Sequence, residues 1–81
     1  MAKDYFQSEE FKKVLRVYEQ RQEKSVYLDA EDFADIADYY LSVDKINLAM
    51  GTLNMGLSIH PEHDSLLVVQ SAAYMLQRMY D

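Results

Sequence analysis

Apolar side chains return at the period of an α-helix in four successive stretches, and this periodicity limits the possible folds more than any other feature of the chain. Phe11, Val14, Leu15 and Tyr18 stand at i, i+3, i+4 and i+7, and Phe33, Ile36, Ala37 and Tyr40 repeat that spacing. A stripe of this width buries one face of a helix and leaves the other, here Lys12, Lys13, Arg16 and Glu19, to water. The third stretch carries Ile46, Ala49, Met50, Leu53 and Leu57 on one side and Leu48, Met55 and Ile59 on another, which predicts packing on two faces. The fourth, from Leu66 to Leu76, is broken only by Gln70 and Ser71, and a helix apolar nearly all round is expected to be buried. Two glycines and one proline in 81 residues leave too little turn chemistry for a β-rich fold. The expectation is one all-α domain over residues 1–81, with helices over 8–24, 30–41, 45–59 and 64–80.

Local signals set those limits. Ser8 is placed to cap the first helix, with Glu9 and Glu10 in its first turn, where carboxylates suit the helix dipole. Glu23, Lys24 and Ser25 read as its end, and Val26, Tyr27 and Leu28 as a connection that folds back over the core. Asp29 caps the second helix, and Ser42-Val43-Asp44 makes a short turn to the third, as in an antiparallel pair. Pro61 closes the third helix, and His63 or Asp64 opens the fourth.

Charge and cysteine usage remove several classes of function. The net charge of −6 repels a phosphate backbone, so no nucleic-acid partner is expected. The same field favours a basic or apolar partner. The absence of cysteine excludes a disulfide framework, a thiolate nucleophile and a cysteine-ligated zinc site, and is compatible with the cytoplasm, the expected compartment. No stretch reads as a signal peptide or a membrane span, so no membrane association is expected. No nucleophile–base set, phosphate loop or dinucleotide fingerprint appears, so the chain is expected to be no enzyme and to carry no cofactor.

Within residues 29–61 the spacing becomes more specific. Phe33-x-x-Ile36-Ala37-x-x-Tyr40 is followed by Ala49-x-x-x-Leu53-x-x-Gly56 and then by Pro61. These residues resemble the signature of the tetratricopeptide repeat family, a helix-turn-helix unit of about 34 residues. At the repeat's own spacing Phe33 falls on Leu67, Ala37 on Ser71, Tyr40 on Tyr74 and Ile46 on Tyr80, whereas Ile36 falls on Gln70 and departs from the pattern. Phe11, Val14 and Tyr18 resemble the second helix of a preceding unit with about one residue of slippage. Asp44 stands where the family usually has a glycine, which predicts a distorted turn.

The resemblance implies an interaction module without catalytic activity, built as one full repeat between two half repeats. In the family the first helix of each unit lines the concave face that holds a partner segment. Carried onto this chain, that face comprises Glu31, Ala34, Asp38 and Leu41 in the second helix and Ser65, Val68, Ala72 and Met75 in the fourth. Glu31 and Asp38 stand where some relatives grip a carboxylate with basic residues, so the expected partner is a protein or peptide segment with basic and apolar side chains. The resemblance also implies that the fourth helix lacks its companion. Leu66, Leu67, Val68, Val69, Met75, Leu76 and Met79 cannot all be covered by one preceding helix, and an assembly edge at Leu67, Tyr74, Met79 and Tyr80 is expected to pair with a second copy or with further repeats.

Three other patterns have plain structural readings beside sharper ones. Glu31, Asp35 and Asp38 share a helix face that attracts a hard cation or serves as a solvated surface, and no calcium-type loop surrounds them. His60-Pro61-Glu62-His63 holds two imidazoles without the remaining ligands of a zinc site and reads as a surface turn. Seven tyrosines and five methionines fill interhelical gaps, and Met75 and Met79 alone fit an adaptable contact surface.

Overall fold

Helices account for the fold of the chain in the computed structural model, which describes residues 5–21 and 27–80. In order they are α1 (Glu9–Glu19), α2 (Ala30–Ser42), α3 (Ile46–Ile59) and α4 (Asp64–Tyr80), and among the described residues there is no strand. The last three helices match the expected limits to within a residue.

Helix α1 starts as expected, with the Ser8 hydroxyl accepting from the Phe11 amide at 3.1 Å. It ends at Glu19, short of the expected residue 24. The Arg21 amide turns back to the Tyr18 carbonyl at 3.3 Å, and the Arg21 guanidinium donates to that same oxygen at 2.8 Å. Both donors occupy a carbonyl that the next helical turn would have used. Residues 22–24, assigned by sequence to this helix, and Val26 lie outside the described residues. Of the described residues of the expected connection, Tyr27 is exposed and Leu28 packs on the core.

Helices α2, α3 and α4 pack against one another. The α2–α3 turn is regular, contrary to the distortion expected at Asp44. Asp44 takes a φ of 62°, its amide donates to the Leu41 carbonyl, and the Lys45 amide donates to the Tyr40 carbonyl at 2.8 Å. This pair of bonds is the Schellman ending, in which the left-handed residue is usually glycine. Aspartate adopts that conformation more readily than most residues.

The core gathers where α2, α3 and α4 cross. Phe33, Ile36, Ala37, Ala49, Leu53, Leu66 and Ala73 have no measurable exposure, and Tyr40 is almost as deep. Gly56 is buried between Phe33 and Leu66, while Pro61 is exposed in the α3–α4 turn. Both contacts of Gly56 lie at similar distances along the chain from the intervening turns, as antiparallel neighbours do. A β-carbon on Gly56 would stand 2.9 Å from the Phe33 Cβ and 3.2 Å from the Leu66 Cδ2, whereas one on Gly51 would meet nothing. The same substitution should therefore act with opposite signs in one helix. Gly51→Ala is expected to raise stability by about 0.5–1 kcal/mol through helix propensity. Gly56→Ala is expected to lower it by about 1–3 kcal/mol through overpacking. Urea denaturation of both variants checks this, and equal effects would refute the tight crossing.

Helix α1 attaches through side chains. Its buried Phe11 and Tyr18 and partly buried Val14 and Leu15 form the expected stripe. Tyr5 and Phe6, helical residues ahead of Ser8, extend it: Phe6 and Phe11 lie 5.6 and 5.5 Å from Tyr39 on α2. Glu19, expected to face water, instead accepts from the Tyr40 hydroxyl at 2.7 Å. Burial, then this bond, pushes the Tyr40 phenol well above its ordinary pKa. Thr52, fully buried on α3, bonds to the Leu48 carbonyl at 2.9 Å and pairs with the Tyr18 hydroxyl at 3.0 Å.

Candidate functional site

An open trough of about 330 Å³ runs between α2 and α4. Its floor is apolar, made by Ala34, Val68 and Val69, and its walls carry Glu31, Asp35, Asp38 and Asp64. The helical period explains this arrangement, because Glu31, Ala34, Asp35 and Asp38 lie within one face of α2. Two histidines tie down the helix ends beside the trough. The His63 ring accepts from the Ser65 amide at 3.3 Å and so caps α4. The His60 ring nitrogen Nε2 donates to the Leu28 carbonyl at 2.8 Å, tying the end of α3 to the approach to α2. Across the trough the Ser65 hydroxyl donates to Glu31 Oε2 at 2.6 Å.

The carboxylates crowd one another, and among the described residues that line the trough none is basic. Burial, then the charges of Glu31, Asp32 and Asp38, raises the Asp35 carboxyl to about 6. Burial alone raises Asp38, and burial with the neighbouring Asp29 raises Asp32. An acid with a raised folded pKa holds its proton in the native state after the unfolded chain has released it. Stability therefore falls as pH rises between the unfolded value of 3.8 and about 6. Because Asp35 is only half-buried, solvent screening reduces its share to about 1 kcal/mol. Asp35→Asn is expected to stabilise the fold by that amount at pH 7 and to flatten the decline from pH 4 to 6. Denaturation midpoints across that range test it, and an unchanged slope would assign the decline to other groups.

The structure brings together Glu31, Ala34, Asp38, Ser65 and Val68 of the expected partner face. Three others fall elsewhere. Leu41 is only 8% exposed and belongs to the core, because its side of α2 turns toward the neighbouring helices. Ala72 is exposed outside the trough, and Met75 lies farther along α4 beside Arg78 and Met79. Asp64 and Val69 join the trough without having been expected there, because their placement depends on how α4 is rotated against α2. Asp35 was visible as one of three acids on the α2 face, although its place in a groove wall was not.

The fourth helix is buried along only one side. Leu66 and Ala73 face inward and Val69 and Leu76 are partly covered, but Leu67, Val68, Tyr74, Met75 and Met79 are exposed, since the two packed helices reach only one side of α4. Burial all round, expected from composition, does not occur; of the expected assembly edge Leu67, Tyr74 and Met79 are exposed, together with Val68 and Met75 of the expected partner face. Tyr80, the last residue of α4, has its side chain outside the described set.

Among the described residues no three imidazoles or carboxylates are disposed to hold a metal ion. No described helix is long and apolar enough to cross a membrane. Compared with known proteins, the chain matches no family model, no curated protein sequence and no solved structure at a significant level.

Proposed function

We propose that this chain is a non-catalytic, tetratricopeptide-like interaction module that holds a basic and apolar protein segment in the trough between α2 and α4. The observation that carries the reading is the trough itself: four carboxylates stand over an apolar floor, formed by the helices that would begin two successive repeats. A Lys or Arg of a bound segment would lie between carboxylates that now repel one another, while alternate apolar side chains would reach Ala34, Val68 and Val69.

Two hydrogen bonds support the repeat reading. Tyr18 pairs with Thr52 and Glu31 with Ser65, and each pair is separated by 34 residues. Stacked units of that length bring equivalent positions of adjacent repeats side by side. The exposed Leu67 and Tyr74, which correspond at that spacing to the buried Phe33 and Tyr40, fit a fourth helix whose companion is not in place.

Fluorescence anisotropy with two labelled peptides tests the reading, one alternating Lys and Leu, the other Glu and Leu. The basic peptide should bind and the acidic one should not. Binding should weaken with added salt. It should also weaken as pH falls through 6, where Asp35 takes up a proton. Equal binding of both peptides, or of neither, would refute the proposal.

A further inference from the structure

The uncovered side of α4 has a charge order that α4 itself complements. Asp64, Val68, Ser71, Met75 and Arg78 follow one another at steps of four and three along the helix, flanked by Leu67, Tyr74 and Met79. Steps of that kind make a single seam, as in paired helices. Asp64 is the only acid and Arg78 the only base in the helix, and they stand at opposite ends of the seam. Small Ser71 marks its middle.

We infer that α4 pairs with α4 of a second copy of this chain, antiparallel, about a two-fold axis at Ser71. Turned end for end, the second copy sets its Arg78 beside Asp64 and its Asp64 beside Arg78. Its Met75 and Tyr74 fall against Leu67 and Val68, and its Ser71 faces Ser71, where small side chains let the helices approach. The open depression over Met75, Arg78 and Met79 receives the first turn of the second copy's α4. A second copy of α4, laid antiparallel, offers a base and an acid in reverse order around an apolar centre and so complements this face. A two-fold contact of this kind is self-complementary by construction.

The area agrees with such a contact. Leu67 is 40% exposed, Val68 69%, Tyr74 48%, Met75 66% and Met79 75%. Together they offer an apolar patch of a size found at the small end of specific interfaces. A reversible dimer is expected rather than an obligate one. Glu31, Asp35 and Asp38 stay outside the contact, whereas Asp64 and Val68 belong both to it and to the trough, so pairing and a segment held in the trough compete for those two residues.

Light scattering and sedimentation over a wide concentration range should show mass rising from monomer to dimer. Asp64→Arg and Arg78→Asp should each weaken the dimer about tenfold, since each places like charges together at both ends of the seam. The combined exchange should restore it, with circular dichroism confirming that each variant is folded. Because the chain has no cysteine, Ser71→Cys gives a direct reading of the register. On mild oxidation it should form a disulfide-linked dimer much faster than Asn47→Cys, a control on the exposed side of α3. A monomer at every concentration, no recovery in the combined exchange, or equal oxidation of the two cysteine variants would overturn the inference.

Discussion

Phe33→Ala is expected to cost about 3–5 kcal/mol, the range for removing a large buried aromatic ring. A chain of this length has a total stability of roughly 4–12 kcal/mol, so the variant should be largely unfolded at moderate temperature. Phe33 has no measurable exposure and its Cβ and Cγ lie against Gly56, at the point where Leu66 of α4 arrives as well. The ring also meets Tyr18 edge-on at a centroid distance of 6.4 Å and the His60 ring at 6.2 Å. One side chain thus meets α1 and both Gly56 and the end of α3 beside the point where α4 arrives, and its removal leaves a cavity that no single helix can close by shifting. Thermal and urea denaturation followed by circular dichroism measures the loss. A cost below about 1 kcal/mol would mean that the crossing collapses around the cavity, contrary to a core held by Phe33.

Charge reversal in the trough should have the second large effect. Glu31→Lys combined with Asp38→Lys replaces two attractions for a basic segment by two repulsions. At roughly 0.5–1 kcal/mol for each attraction lost and each repulsion gained, binding of the Lys-Leu peptide should fall about a hundredfold. Both side chains are exposed, so the fold should survive, apart from the loss of the Ser65 hydroxyl's bond to Glu31. Dimerisation through α4 should remain, which separates the two surfaces experimentally. If the double variant binds the basic peptide as tightly as the parent chain, the trough is not the site.

Helix-level structure was legible in the sequence because its causes are local. The stripe of Phe11 to Tyr18 and the Ser8 cap placed the start of α1, and the stripe of Phe33 to Tyr40 and Pro61, which also act over a few residues, helped place α2, α3 and α4 to within a residue. Gly56 was legible as a small residue at helical spacing after Ala49 and Leu53, and the structure shows what it admits, the close approach of Phe33 and Leu66. The trough was partly legible through Glu31, Ala34, Asp38 and Val68, which share helix faces.

By itself the sequence determined an all-α chain, the limits of α2, α3 and α4, the buried stripes and the surplus of apolar surface on α4, all consequences of period and composition. The tertiary structure alone decided which side chains meet across helices. It turned Glu19 from a solvated residue into the acceptor of Tyr40, withdrew Leu41 into the core, paired Thr52 with Tyr18 and set Asp64 opposite the acids of α2. Each of these depends on the rotation of one helix about its axis relative to another. That rotation is set jointly by the shapes of two packed surfaces, and neither surface encodes it alone.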